Sequence, residues 1–326
     1  MRDASILVLA TGGTIAGEAG SAVRADYRPG QIDIADFLAA FAQLGVPACL
    51  TGRQIANIGS EDISVELWRE LHAALHEAMN DPAIDAVIVT HGTDTAEETA
   101  FLLDLTLPTE KPVVLVGAMR AADAVGSDGL RNFANAVRVA ADPQASGRGV
   151  LLVMGDQVLS ARDARKARTG GTSAFAGFPR GPVALATPSA LDWLQPPHRS
   201  GEPARFVFPN SFPYVPVLFA YAAMGAAEVE RLRNAGAAGL VLAGFGSGNM
   251  PDAVRTALTK AAAAGVPVVR ATRVDEGLVD REPQDDASRF VAARALGPAK
   301  ARILLQLLIA SGVTDPADIQ AAFDRR

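Results

Sequence analysis

At 326 residues, 49% of them apolar and 20% charged, the chain has the make-up of an ordinary globular protein, and it exceeds the ~250–300 residues at which one hydrophobic core stops growing, so two domains are expected. Its 30 basic and 36 acidic residues give a net charge of −6, and the basic ones are dispersed rather than gathered in a stripe, which argues against nucleic acid as a partner. The single cysteine, Cys49, excludes an intrachain disulfide and a cysteine-built zinc site, and no stretch reaches the ~20 apolar residues that cross a bilayer.

Only Met1–Ser5 precedes the first apolar run, with no basic region or cleavage pattern. A cytoplasmic protein is therefore expected, with the periplasm as the alternative for a trimmed mature form. Ile6–Ala10, Ala86–Thr90, Val113–Val116 and Val150–Met154 read as strands. Between them Val65–Met79, with Leu67, Leu71, Leu75 and Met79 four apart, Thr95–Leu105 and Leu130–Ala140 read as helices. His72 and His76, one turn apart, read as part of a solvated helix face. With His91 and His198 they are too scattered to suggest a metal site, so no metal and no cofactor are expected.

The alternation predicts an α/β protein whose larger N-terminal domain, residues 1–190, is an open and mostly parallel sheet. The proline-rich stretch Pro188–Pro213 breaks the pattern and places a linker at 191–212. A smaller α/β domain, 213–326, follows, with strands at Val215–Ala220, Gly239–Ala243 and Val266–Arg270 and helices near Ala226–Ala235 and Pro251–Ala264.

Ligands of doubly wound sheets bind outside the carboxyl ends of strands. The first strand runs into Thr11-Gly12-Gly13-Thr14-Ile15-Ala16-Gly17, and the second into Thr90-His91-Gly92-Thr93-Asp94-Thr95. Both offer hydroxyls, and their glycines let backbone amides approach a ligand closely. Neither has the spacing of a nucleotide-binding loop. Gly244-Phe245-Gly246-Ser247-Gly248-Asn249 again follows a strand and reads equally as a structural turn or a site.

The segments ATGGTIAG at Ala10–Gly17, THGTDTAEETAFLLDL at Thr90–Leu105, KPVVLVGAMR at Lys111–Arg120 and KARILLQL at Lys300–Leu307 together resemble the bacterial type II L-asparaginases. That resemblance implies hydrolysis of asparagine to aspartate and ammonia through an acyl-threonine intermediate, without a cofactor. It also implies a homotetramer of two intimate dimers, with each site shared by two subunits.

Carried over residue by residue, the resemblance makes Thr14 the nucleophile and Tyr27 its contact from a lid bounded by Gly17, Gly20 and Gly30. Thr93, Asp94 and Lys166 match a second catalytic array. A threonine hydroxyl is a poor nucleophile until a neighbour takes its proton. A nearby carboxylate favours the lysine ammonium and burial disfavours it, so Lys166 is assigned to orientation and proton relay. Ser60, Glu61 and Asp94 match the groups that hold the amino-acid end of the substrate, where a zwitterion needs both an acceptor and donors. Gly13 and Gly92 lend backbone to substrate binding, and the carbonyl of Ala118 faces the leaving amide. Asn249 and Glu282 match residues reaching in from a neighbouring subunit.

The chain has Glu61 where glutamine is commoner, and Ser247 where asparagine is commoner. Members with glutamate at position 61 look more tolerant of glutamine, so a secondary glutaminase activity is expected. Three further readings remain: a broad glutaminase-asparaginase, the related subunit that supplies ammonia to a tRNA amidotransferase, and an inactive binder of small amino acids.

Overall fold

The computed structural model describes residues 4–19, 27–28, 30–108, 110–187, 189–197 and 205–325, with the backbone alone at 18–19 and 27–28. The chain divides into two compact units, Met1–Arg205 and Phe206–Arg326.

In the first unit, the runs Ala86–Thr90, Val113–Val116 and Val150–Met154 are buried at every position, as strands covered on both faces must be. They pair in parallel with one another and, through Ser5–Gly12, with Cys49–Ile58. Beyond Val150–Met154 the sheet turns antiparallel through Gln157–Ser160, Ala184–Ala186 and Leu191–Trp193, giving eight strands.

Successive strand side chains point to opposite faces. Ile6, Val8 and Ala10 join Phe37, Phe41, Phe133 and Val137 on one side, while Leu9 joins Leu71, Leu75, Ala100 and Leu103 on the other. Helices Ile34–Ala42 and Gly129–Ala141 thus cover one face, and Val65–Asn80 and Ala96–Thr106 the other. Phe133 meets the rings of Phe37 and Phe41 edge-on at 5.0 and 4.7 Å, contacts worth about 0.5–1.5 kcal/mol each beyond burial.

The four-residue leucine spacing misplaces the buried stripe of Val65–Asn80. A helix turns in ~3.6 residues, so a strict step of four drifts around it. The face that packs is Trp68, Leu71, Ala74, Leu75 and Ala78, with Leu67 and Met79 half-buried. His72 departs from a solvated face: its Nε2 lies 3.2 Å from the Thr106 carbonyl, and burial holds its pKa below the usual imidazole value.

Helix Ile34–Ala42 and strand Cys49–Ile58 escape the sequence reading. The strand lies at the edge of the sheet and is exposed or half-buried throughout. Its polar residues Thr51, Arg53, Gln54 and Asn57 therefore never alternate with a core face. Leu191–Trp193, read as the start of the linker, pairs as the other edge strand. Residues 198–204, including His198, lie outside the described residues.

The second unit is built on a parallel sheet of Val217–Phe219, Leu240–Gly244, Val268–Thr272 and Phe290–Ala292. The first of these starts after Pro216, which has no N–H to give a ladder. Helices Ala227–Asn234, Asp252–Ala263, Pro283–Ser288, Pro298–Ala310 and Pro316–Asp324 complete the unit. Pro251, expected inside a helix, caps it with an extended ψ of 149°. Among the described residues no helix is long and apolar enough to cross a membrane.

Candidate active site

Four loops leave the carboxyl ends of the parallel strands in the first unit, and glycines bring them into backbone contact. A Cβ on Gly12 would fall 2.5 Å from the backbone of Ile58, and one on Gly13 would fall 2.5 Å from Gly92 Cα. A Cβ on Gly92 would lie 2.7 Å from Ser60 Oγ, and one on Gly117 2.7 Å from the His91 carbonyl. Gly12 and Gly13 hold φ of +102° and +81°, a region that side chains other than hydrogen rarely tolerate. The loops bearing Thr14, Ser60, Thr93 and Ala118 are therefore packed as one cluster.

Thr14 opens the short turn Thr14–Ala16 and is 5% exposed, and Thr93 is 7% exposed. Lys166 closes the hairpin strand Ala164–Lys166, where it pairs with Phe175. From there its Nζ donates to Thr93 Oγ1 at 2.9 Å and forms a salt bridge with Asp94 Oδ1. The three residues read as an array from sequence are thus one hydrogen-bonded chain, with Asp94 more than half exposed.

Ser60 ties this array to the next loop. Its Oγ accepts from the Asp94 backbone N–H at 3.1 Å, and its carbonyl accepts from Thr95 Oγ1 at 2.8 Å. That bond leaves the Ser60 hydroxyl its own proton to donate. Glu61 is exposed and its carboxylate curls over Gly59, so close that a Cβ there would sit 2.5 Å from either oxygen. Ala118 is 1% exposed. Its loop is braced by Asp128, whose carboxylate accepts from the N–H groups of Met119 and Arg120 at 3.1 and 3.0 Å. Asn132 adds a bond to the Gly117 carbonyl at 3.0 Å.

Tyr27 pairs through its backbone with Ala19, but its side chain lies outside the described residues, as does Gly20 of the expected lid. Asn249 and Glu282 belong to the second unit. Asn249 is exposed on the turn after Leu240–Gly244, and Glu282 caps helix Pro283–Ser288. Among the described residues no three His, Cys, Asp or Glu side chains gather as metal ligands would.

Two polar networks went unread in the sequence. Trp68 Nε1 donates to Thr99 Oγ1 at 2.9 Å, Thr99 faces His91 Nε2 at 3.0 Å, and His91 Nδ1 lies 2.7 Å from the Gly92 carbonyl. The Gly92 carbonyl can only accept, so the imidazole proton sits on Nδ1, and Nε2 of the neutral ring accepts from the Thr99 hydroxyl. Burial holds the His91 pKa below its usual value, which fits this neutral form. The second network surrounds Arg270 and Asp285, both 1% exposed. A histidine directly after the strand end was visible in the sequence. The sequence signal of the second network is an arginine within an otherwise apolar strand.

The family model described as "Asparaginase, N-terminal" matches residues 5–199, and that described as "Glutaminase/Asparaginase C-terminal domain" matches residues 214–323. The probable L-asparaginase periplasmic of Haemophilus influenzae is 42% identical over 325 residues, covering 98% of this chain and 92% of that protein. A glutaminase-asparaginase of Pseudomonas fluorescens is 35% identical, covering 98% of this chain and 90% of that protein. The crystal structure of the probable cytoplasmic L-asparaginase from Campylobacter jejuni is 34% identical with a TM-score of 0.93, covering 98% of this chain and 99% of that chain. With both units matched and its strand-end threonines set among packed glycines, the chain belongs to the asparaginase/glutaminase family.

Proposed function

We propose that the protein hydrolyses L-asparagine to L-aspartate and ammonia, with a weaker activity on L-glutamine. The observation that carries this reading is the Lys166 ammonium bonded to Thr93 Oγ1 and paired with Asp94, on the loop that packs against Gly13 beside Thr14.

Thr14 Oγ attacks the carboxamide carbon. The Lys166 ammonium gives a proton through Thr93 Oγ1 to the departing nitrogen and takes the Thr14 proton in its place, with Asp94 holding the amine in position; ammonia leaves, and water then cleaves the acyl ester. Backbone N–H groups beside Thr14 and Thr93 meet the charge on the amide oxygen, each worth about 3–4 kcal/mol by analogy with other acyl-transfer sites. Asp94 and Glu61 take the substrate ammonium, while Ser60 and backbone amides take its carboxylate. By the family resemblance Tyr27 is assigned as the partner of Thr14 and the Ala118 carbonyl as the contact of the leaving amide, and Asn249 and Glu282 serve the site of a neighbouring subunit in a homotetramer.

Ammonia release from L-asparagine, L-glutamine and D-asparagine, measured in parallel, tests the activity. Thr14→Val keeps the shape of the side chain without its oxygen, and turnover is expected to fall about 10⁴-fold or more in a protein of unchanged native mass. Near-normal turnover in that variant ends the covalent route through Thr14. Because Lys166 contacts Thr93 directly, peptide mass mapping of an acid-quenched reaction is the companion measurement, with the acyl adduct expected on Thr14 and not on Thr93.

A further inference from the structure

The largest fully buried side chain among the described residues is a cation. Arg270 sits in the strand Val268–Thr272 with 1% of its side chain exposed. Its Nε donates to Asp285 Oδ1 at 2.9 Å and its Nη2 to Asp285 Oδ2 at 2.6 Å, a bidentate pair with both partners buried. The remaining donors reach two separate loops. Nη1 donates to the Ser247 carbonyl at 2.6 Å, and Nη2 donates to the Asp280 carbonyl at 2.7 Å. Glu282 Oε1 stands 3.6 Å from Nη1.

Each loop is fitted to this guanidinium. Gly248, at φ +90°, lies over it so closely that a Cβ would be 2.9 Å from Arg270 Cγ and 3.1 Å from Nη1. Asp285 also accepts from the Glu282 N–H at 2.8 Å, so the ion pair fixes the backbone that carries Glu282. A sheet core gains more from an apolar side chain than from a buried ion pair, and the fork geometry of arginine is what lets one residue hold a carboxylate and two carbonyls at once.

We propose that Arg270 is the positioning residue for Asn249 and Glu282: its guanidinium fastens the turn bearing one to the loop bearing the other, so that the two are presented to a substrate as one surface. The proposal rests on the reading that these two residues serve a neighbouring subunit's site. Neither Arg270 nor Asp285 touches substrate. They act through the loops.

The test separates positioning from stability. Arg270→Met alone leaves Asp285 buried without its partner and can fail to fold. The double variant Arg270→Met/Asp285→Leu removes both charges and is expected to regain the thermal stability of the parent while kcat/KM stays about 10²-fold down, the cost of a misplacement of about 1 Å. Gly248→Ala keeps both charges of the ion pair but sets a Cβ against Arg270 Cγ and Nη1, pushing the turn and the guanidinium apart, and is expected to lose about 10-fold in kcat/KM. Parent-like kcat/KM in a folded double variant, or in Gly248→Ala if the double variant does not fold, overturns the proposal.

Mixed oligomers then address the reading beneath it. Thr14→Val protomers carry intact loops, and clamp-variant protomers carry an intact nucleophile. Co-assembled, they are expected to exceed both parents in activity. If the clamp variants are impaired but mixing brings no gain, the clamp stands and the shared-site reading falls.

Discussion

Two clusters of strand-end loops in this chain are held together by opposite means. In the first unit, Gly12, Gly13, Gly92 and Gly117 let loops touch backbone to backbone, with would-be Cβ positions 2.5–2.7 Å from their neighbours. In the second, the space between two loops is filled by one guanidinium with four polar contacts. Glycine packing leaves no room for an added carbon, whereas an ionic clamp fails through the loss of a partner. The first keeps Lys166 and Asp94 for chemistry, although the Asp128 carboxylate braces the Ala118 loop. The second uses its ionisable groups as fasteners.

The sharpest way to break this contrast is to remove the cation that reaches Thr93. Lys166→Met deletes the donor to Thr93 and the partner of Asp94. Because Lys166 is assigned to chemistry and not to fastening, kcat is expected to fall about 10²–10⁴-fold, with a melting temperature close to that of the parent, since the pair is screened by solvent on its largely exposed Asp94 side. A large drop in melting temperature instead would make Lys166 a fastener like Arg270.

Next comes the packing itself. Gly13→Ala forces a side chain into φ +81° and into the Gly92 backbone, and is expected to cost about 1–3 kcal/mol of stability together with most of the activity. Gly171→Ala, at φ +79° with open space around its Cβ position, carries the backbone strain without the collision. Equal losses in urea melts of the two variants would show that contact between loops is not what Gly13 supplies.

Selectivity is a smaller effect. Asparagine and glutamine differ by one methylene, and Glu61 lies exposed at the edge of the proposed pocket. Glu61→Gln is expected to raise the ratio of asparaginase to glutaminase kcat/KM by an amount within the ~1–3 kcal/mol that one methylene allows. An unchanged ratio removes Glu61 from specificity.

How much of this was legible beforehand follows from burial. Val113–Val116 and Val150–Met154 have the bounds the sequence reading gave them, because strands covered on both faces are uninterrupted apolar runs. Cys49–Ile58 was invisible because an edge strand half in water carries no such pattern, although it delivers Ser60 and Glu61 to the site. Thr93 and Asp94 stood out at a strand end, Lys166 was legible only through the family resemblance, and the structure supplies the bonds between them. The Trp68–Thr99–His91 chain and the Arg270 clamp were not, since each joins residues far apart in sequence whose partners are backbone carbonyls or side chains with no chemical signature of their own.

The mildest expected effect distinguishes the two units by acid. All four histidines lie at or before position 198, so the second unit has none. His91 is buried as a neutral ring with its pKa held below the ordinary 6.5. In the unfolded chain that ring takes up a proton near 6.5, so its contribution to stability is full above 6.5 and is lost as pH falls toward the lower folded value. In the second unit, Asp280 has its pKa held below the usual 3.8, chiefly by the hydrogen bond from Arg294, so its contribution is present above 3.8 and fades only as pH falls through that lower value. Amide exchange followed from pH 7 to 5 is therefore expected to loosen Ala86–Thr90 before Val268–Thr272, and the His91 ring is expected to keep its neutral NMR shift below 6.5. A ring that titrates near 6.5 would mean that His91 is not locked by Thr99 and Gly92, and the acid sensitivity of the first unit would then need another source.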